Sequence, residues 1–203
     1  MNRRHFLALL ATAPAVRAAT TNDDIRKHLA AMRAAQKGNM NVDPPEGEYF
    51  YSLVKRLNAK RVLEIGTSNG YSGIWFAMGL RETGGKLITL EIDKGRYDLA
   101  QANFKITELA PYIDSRLTDA KVEAARVPGP LDIVFIDAWK PDYLAYYEAV
   151  LPKVRKGGVI LAHNVVSHPG QMQDFLARIK SDPAVRTEIR TIGPQGLSIS
   201  TKL

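Results

Sequence analysis

At the centre of this 203-residue chain lies Val62-Leu63-Glu64-Ile65-Gly66-Thr67-Ser68-Asn69-Gly70-Tyr71-Ser72. The apolar start predicts a buried strand, the two glycines a tight loop, and the residues from Tyr71 a helix. Gly66 and Gly70 allow the backbone to approach a ligand closely, but their G-x-x-x-G spacing differs from the G-x-G-x-x-G loop that holds a pyrophosphate. Glu64 would repel a phosphate and would attract a cationic amino group. A plain strand-to-helix turn is the alternative explanation of the loop.

Strands and helices alternate on both sides of this loop. We predict strands at residues 61–65, 86–90, 112–117, 131–136, 158–162, 185–192 and 197–202, and helices at residues 23–37, 44–57, 71–80, 95–109, 143–154 and 171–180. Alternation of this kind is typical of an α/β fold, in which a parallel sheet is covered by helices on both faces. In such sheets ligands bind beyond the carboxyl ends of the strands, so polar residues at those positions are the candidates for a site.

An acidic residue follows the second predicted strand. Glu91 stands 25 positions after Gly66, where a carboxylate can accept hydrogen bonds from both hydroxyls of a ribose. A solvated carboxylate at a strand end is the alternative, but together with the glycine loop Glu91 favours a nucleoside-bearing cofactor. Asp119, after the third strand, could face an adenine amino group or cap a helix.

Two further polar clusters follow the fourth and fifth predicted strands. They are Asp137-Ala138-Trp139-Lys140 and His163-Asn164. Asp, His and Asn side chains can all coordinate a divalent metal. Each residue also has an ordinary structural explanation: Asp137 as a helix cap, His163 as a hydrogen-bonded core residue and Asn164 in a turn.

The composition excludes several classes of protein. The formal charge is +7, with positive charges at Arg3, Arg4 and Arg17, and no run of Lys and Arg is interleaved with aromatics, so we predict no nucleic-acid partner. No stretch approaches the roughly 18 to 20 apolar residues of a stable membrane span. The absence of cysteine excludes disulfides and thiolate chemistry.

The first residues are typical of an export signal. Paired arginines precede Phe-Leu in Asn2-Arg3-Arg4-His5-Phe6-Leu7, an apolar stretch follows, and Val16-Arg17-Ala18 has the small-x-small pattern of a cleavage point. The twin arginine matches the bacterial Tat address. We therefore predict a signal peptide over residues 1–18, a single domain over residues 19–203, and export to the periplasm. An unused signal would leave the protein in the cytoplasm.

Several motifs occur in a specific order along most of the chain. They are Pro45-Glu46-Gly47, Leu63-Glu64-Ile65-Gly66 with Gly70-Tyr71-Ser72, Leu90-Glu91-Ile92-Asp93, Asp137-Ala138-Trp139-Lys140, and Lys156-Gly157-Gly158 leading to His163-Asn164-Val165. In this order they resemble the metal-dependent O-methyltransferases, a class I family that uses S-adenosylmethionine and is typified by catechol and caffeoyl-CoA O-methyltransferases. The resemblance implies a Rossmann-like sheet of seven strands with the last one antiparallel, extra N-terminal helices, and a homodimer.

The resemblance also implies roles for individual residues. S-adenosylmethionine would be held by Val42, Glu64, Gly66, Thr67, Ser68, Gly70, Tyr71, Ser72, Glu91, Ile92, Asp119, Ala120, Asp137 and Trp139. Lys140 matches the family's catalytic lysine, the base for the attacking hydroxyl, and Asp137 would sit near the sulfonium. A divalent metal would be held by Asp137, His163 and Asn164. The acceptor would be a small phenolic or catechol-like molecule.

One residue departs from the family pattern. The family usually has Asp immediately before the metal-binding asparagine, and this chain has His163. Replacing a carboxylate by imidazole favours iron, manganese or zinc over magnesium, with loss of the metal as the competing outcome. The late acidic residue of catechol enzymes is also missing, since Thr191 or Pro194 falls near its position. Metal-independent methyl transfer to another small nucleophile therefore stays open, as does a non-catalytic protein that binds S-adenosylmethionine or S-adenosylhomocysteine.

Overall fold

The computed structural model of this chain describes residues 20–35 and 41–203. The predicted signal peptide over residues 1–18 and the end of the predicted first helix lie outside these ranges. The helices of the described part are α1 (Asn22–Ala35), α2 (Pro44–Arg56), α3 (Tyr71–Thr83), α4 (Lys94–Ile106), α5 (Ala120–Glu123), α6 (Tyr143–Val150) and α7 (Gln173–Ser181). The strands are β1 (Arg61–Ile65), β2 (Lys86–Glu91), β3 (Ile113–Leu117), β4 (Leu131–Ile136), β5 (Val154–His163), β6 (Val185–Arg190) and β7 (Leu197–Lys202).

The strands form one sheet in the order β3-β2-β1-β4-β5-β7-β6. The contacts among β1 to β5 are all parallel, whereas β7 runs antiparallel to both β5 and β6. The predicted Rossmann-like sheet with an antiparallel last strand is therefore confirmed. The strand order reverses direction at β1 and β4, and the crevice beyond their carboxyl ends is where such sheets bind ligands.

Helices cover both faces of the sheet, as the sequence predicts. On one face α1 to α4 enclose an aromatic group in which Phe50 stacks on Phe76 at 4.7 Å between ring centroids, against Phe135 of β4. On the other face α5 to α7 bury Tyr147 and Phe175. Both faces of β1 and β4 are thus removed from water, which explains why these strands are almost continuously apolar.

The fifth strand and the helix before it differ from the prediction. The helix predicted over residues 143–154 ends at Val150, and a single 3-10 turn carries Pro152, which cannot donate to a continuing α-helix. The strand then begins at Val154 and runs through Gly157, whose φ of 73° accommodates an irregularity in the pairing with β4. Among the described residues, no helix combines the length and apolarity that crossing a membrane requires.

Candidate active site

The carboxyl ends of β1, β2, β4 and β5 surround a cavity of about 520 Å³. Its lining consists of Asn41, Val42, Gly66, Thr67, Ser68, Asn69, Tyr71, Ser72, Glu91, Ile92, Arg96, Asp137, Ala138, Trp139, Lys140, His163, Asn164, His168 and Gln171. Most of the predicted site residues therefore share one cavity. The predicted residues outside the lining are Glu64, Gly70, Asp119 and Ala120.

The loop between β1 and α3 depends on glycine at two positions. Gly66 has a φ of 101°, and a Cβ there would lie 2.3 Å from the carbonyl oxygen of Asp137. Gly70 has a φ of 87°, and a Cβ there would lie 2.6 Å from the ring of Phe104. At both positions the backbone has a positive φ, which disfavours any residue with a side chain, and a Cβ would also collide with a neighbouring atom. Gly66 thereby lets the loop pack directly against the end of β4.

Glu64 lies beneath this loop rather than in the cavity wall. Its carboxylate accepts hydrogen bonds from Ser72 Oγ and Thr89 Oγ1, both at 2.6 Å, and the residue is fully buried. Burial raises its pKa to about 7, because desolvation outweighs the two hydroxyl donors that oppose the shift. Since Ser72 lines the cavity, its hydroxyl links Glu64 to the cavity wall. The predicted direct contact with the cofactor stays a prediction.

Glu91 presents a fixed carboxylate to the cavity. One oxygen accepts from the backbone N–H of Ser68 at 2.7 Å, and the other from Ile92 and Asp93 at 3.0 and 2.9 Å. A carboxylate has about four acceptor positions, and three are used here, so capacity is left for one hydroxyl of a ribose. The exposed side chains of Ile92 and Trp139, at 71% and 68%, offer apolar surface beside it. The residues at this end fit a nucleoside, with polar groups for the sugar and apolar ones for the base.

Asp119 and Ala120 lie on the next strand connection, outside this cavity. The Asp119 carboxylate accepts from Lys121 N at 2.8 Å and caps α5, so the helix-cap interpretation is confirmed. Ala120 packs into the core of the second face. Their predicted contacts with adenine stay predictions.

The opposite end of the cavity is polar and charged. Lys140 Nζ donates to Asp137 Oδ1 at 2.9 Å and to the carbonyl oxygen of Ala138 at 3.1 Å. His163 Nδ1 lies 3.2 Å from the other oxygen of Asp137. Burial would raise the pKa of Asp137, but the nearby charges of His163 and Lys140 outweigh it and hold this pKa at about 2. Asp137 is therefore an ionised carboxylate held between two basic side chains.

Glu46, in the first turn of α2, belongs to the same group. It is 0% exposed, and its Oε2 lies 3.2 Å from His163 Nε2 and accepts from Asp43 N at 3.0 Å. The pair Asp43 and Glu46 forms a capping box, a pattern readable from the sequence as an acidic cap followed three residues later by Glu. The contact with His163 is not readable in this way, because 117 positions separate the two residues.

The predicted metal ligands do not fit a divalent cation. Both oxygens of Asp137 and both ring nitrogens of His163 are engaged by other side chains. The Asn164 amide nitrogen contacts Ser167 Oγ at 3.5 Å and Gln195 Oε1 at 3.4 Å. Across residues 20–35 and 41–203, no group of three or more His, Asp or Glu side chains is arranged to hold a metal ion.

The fold and the cavity define a class of protein: a Rossmann-like α/β protein with residues that fit a nucleoside at the carboxyl ends of its strands. The sequence model described as "O-methyltransferase" matches residues 17–198. The chain therefore belongs to the O-methyltransferase family of S-adenosylmethionine-dependent enzymes.

Individual relatives agree with this assignment. The chain is 35% identical to a catechol O-methyltransferase of Niastella koreensis, over 78% of this chain and 72% of that protein. It is 34% identical to a catechol O-methyltransferase of Mycobacterium tuberculosis, over 70% and 64%. It is 33% identical to a caffeoyl-CoA O-methyltransferase of Zinnia elegans, over 66% and 57%. The chain thus spans about three fifths of the length of the last two relatives.

Solved structures give the same result for the fold. An O-methyltransferase from Bacillus cereus, solved in complex with SAH, superposes with a TM-score of 0.77 and 28% identity, over 89% of this chain and 90% of that one. A cofactor-bound protein from MTB superposes with a TM-score of 0.79 and 26% identity, over 90% of both chains.

Proposed function

We propose that this enzyme transfers the methyl group of S-adenosylmethionine to a hydroxyl of a small phenolic acceptor. The observation that carries the proposal is that one cavity joins the nucleoside end at Glu91 to the charged end at Asp137 and Lys140. The catechol and caffeoyl-CoA names of the relatives support a phenolic acceptor.

The nucleoside end would hold the cofactor. Glu91 would accept from the ribose, Ile92 and Trp139 would cover the base, and Ser72 would contact the methionine end. When bound, S-adenosylmethionine supplies an electrophilic methyl group on a sulfonium, which an oxygen nucleophile attacks in line. The residues of the loop fix the orientation of that end of the cavity, and positioning of this kind supplies much of the rate in group transfer.

Lys140 is the residue through which the charged end would act on the acceptor. Its ammonium has three protons, of which two are donated to Asp137 and to the carbonyl of Ala138. We propose that the third is donated to the acceptor oxygen. There the positive charge offsets the negative charge that develops as the hydroxyl releases its proton to water in the cavity and its oxygen takes the methyl group from the sulfonium. Because Lys140 already donates two hydrogen bonds, its geometry favours donation to the acceptor oxygen over the predicted role as the base that removes the hydroxyl proton.

The test is methyl transfer to catechol and to simple phenols, followed as formation of S-adenosylhomocysteine by chromatography and mass spectrometry. We expect turnover with phenols and none with aliphatic alcohols. Lys140→Met should lower kcat at least about tenfold, because it removes a charged hydrogen-bond donor worth roughly 1.5 to 3 kcal/mol. Lys121→Met is the matched control, since Lys121 is an exposed lysine of α5 that pairs with Asp142.

Two outcomes would contradict the proposal. If S-adenosylhomocysteine binds but no phenol is methylated, a non-catalytic binding protein or another nucleophile class becomes the better account. If Lys140→Met and Lys121→Met have the same kcat, Lys140 has no role at the acceptor oxygen.

We also propose, from the sequence, that residues 1–18 direct export and, from the family resemblance, that the mature protein is a homodimer. Cell fractionation with N-terminal sequencing of the recovered protein tests the first proposal, and an uncut N-terminus in the cytoplasmic fraction would contradict it. Sedimentation equilibrium tests the second, and a single species with the mass of one chain would contradict it.

A further inference from the structure

A chain of alternating charges, buried at Glu46 and His163 and part-buried at Asp137 and Lys140, runs through the polar end of the site. Glu46 Oε2 lies 3.2 Å from His163 Nε2, His163 Nδ1 lies 3.2 Å from Asp137 Oδ2, and Asp137 Oδ1 lies 2.9 Å from Lys140 Nζ. The two acidic and two basic side chains alternate along it. We call these four residues the charge chain.

The position of His163 leaves no ligand atom for a metal. Each ring nitrogen faces a carboxylate oxygen, and an ionised carboxylate only accepts hydrogen bonds, so each nitrogen must donate. A nitrogen that donates its N–H has no lone pair for coordination. The side chain is 4% exposed, so water does not compete for these contacts.

Both carboxylate oxygens of Asp137 are also occupied. One pairs with His163 and the other with Lys140, so a divalent cation would have to displace one of these two side chains. A cation placed beside the same carboxylate would also be repelled by the ammonium and the imidazolium. The charge chain already balances its own charge, with two negative and two positive groups.

Glu46 is held in place independently of His163. Arg33 donates to the Asp43 carboxylate and, at 2.9 Å, to the Val42 carbonyl, which fixes the cap of α2. Gly193 packs against Glu46 so closely that a Cβ there would lie 2.9 Å from its Oε2. Because each ring nitrogen of His163 faces a carboxylate oxygen that only accepts, both nitrogens carry a proton and the imidazole is a cation.

We infer that Glu46 is a positioning residue that holds His163 against Asp137, and that the charge chain takes the place of a divalent metal in this enzyme. His163 supplies the fixed positive charge beside Asp137, and the site binds no metal ion. The catalytic consequence of Glu46 rests on the proposed function, whereas the exclusion of metal does not.

Manganese binding tests the exclusion directly. The full chain is titrated with Mn²⁺ in the presence of S-adenosylhomocysteine, and free Mn²⁺ is measured by electron paramagnetic resonance. We expect the wild type and Asp137→Asn to give the same Mn²⁺ titration curve, because neither has a metal site at Asp137. His163→Asp exchanges the imidazolium for a carboxylate and should bind Mn²⁺ at least tenfold more tightly than the wild type does. Methyl transfer by the wild type should be unchanged by EDTA.

Two results would overturn the exclusion. One is binding of Mn²⁺ by the wild type that Asp137→Asn abolishes. The other is a folded His163→Asp variant with no gain in Mn²⁺ affinity, since His163 would then not be what keeps the metal out. If His163→Asp does not fold, the comparison of wild type with Asp137→Asn still decides the question.

The role of Glu46 is tested by Glu46→Gln against Glu48→Gln. Glu48 lies on the same helix with its side chain 44% exposed and pairs with Arg26, away from the charge chain. Glu46→Gln should shift or remove the buried imidazole N–H resonance of His163 and lower kcat at least about tenfold, with KM for S-adenosylmethionine within about twofold, since one charged hydrogen bond is lost. Glu48→Gln should leave the resonance and kcat unchanged.

Identical spectra and kcat for the two glutamine variants would overturn the role of Glu46. The resonance and the Mn²⁺ titration give an answer even if no phenol is turned over, so failure of the proposed function is separable from failure of this inference. If methyl transfer requires a metal ion, the exclusion of metal is wrong, whereas the proposed function is still supported.

Discussion

Gly66→Ala should destabilise the protein by about 3 kcal/mol, the sum of a left-handed backbone penalty of roughly 1 to 2 kcal/mol and an overpacking cost of similar size. Gly66 has a φ of 101°, and the new Cβ would lie 2.3 Å from the carbonyl oxygen of Asp137. That oxygen belongs to the backbone at the end of β4, which is paired with β1, so neither partner can move without disturbing the sheet. Because Gly66 also lines the cavity, binding of S-adenosylhomocysteine should weaken as well.

Chemical denaturation of Gly66→Ala and Gly84→Ala measures the two contributions separately. Gly84 also has a positive φ, of 73°, but no described atom lies within 4 Å of the Cβ that would be added. Its alanine variant should therefore lose only the backbone term, about 1 to 2 kcal/mol. Equal losses of unfolding free energy in the two variants would show that the close approach of the loop to Asp137 is not significant.

Glu91→Gln should weaken binding of S-adenosylhomocysteine about a hundredfold. The two oxygens of Glu91 accept from three backbone N–H groups and face the cavity, where they would also accept from the ribose. The amide replaces one oxygen by a donor that faces backbone donors. We expect a loss of roughly 3 kcal/mol, the value of one to two charge-assisted hydrogen bonds, which is more than a factor of 100 in Kd.

Isothermal titration calorimetry checks this expectation. Glu188→Gln is the matched control, since Glu188 is a strand carboxylate of β6 with a side chain 51% exposed that pairs with Arg190. The control should bind with wild-type affinity. A Kd for Glu91→Gln within threefold of that of the control would remove Glu91 from the cofactor site.

The sheet could be predicted from the sequence because its strands are marked by strong local signals. β1 and β4 are apolar and buried on both faces, and both were predicted with the observed bounds. β5 was predicted too short, because glycines at 157 and 158 usually end a strand, whereas here they allow an irregularity within it. The helix predicted over residues 143–154 was too long, because the chain passes into a 3-10 turn at Pro152.

The sequence predicts only those site residues that directly follow a predicted strand. Glu91, Asp137 and His163 each follow a predicted strand, and the topology brings them to one edge of the sheet. Glu46 was missed because α2 meets β5 only through tertiary packing, and no spacing in the sequence shows that contact. The metal prediction rested on residue types and on the family resemblance. Whether these side chains coordinate an ion or pair with each other depends on distances that the sequence does not show.

We propose that the cavity beyond β1, β2, β4 and β5 is where a methyl group moves from S-adenosylmethionine to a phenolic oxygen. The most direct measurement uses S-adenosylmethionine with a deuterated methyl group and catechol, with the product identified by mass spectrometry. We predict a methyl ether that carries the intact deuterated methyl group, formed by the wild type and lost in Glu91→Gln at limiting cofactor. Absence of labelled product, in a preparation that binds S-adenosylhomocysteine by calorimetry, would contradict the account.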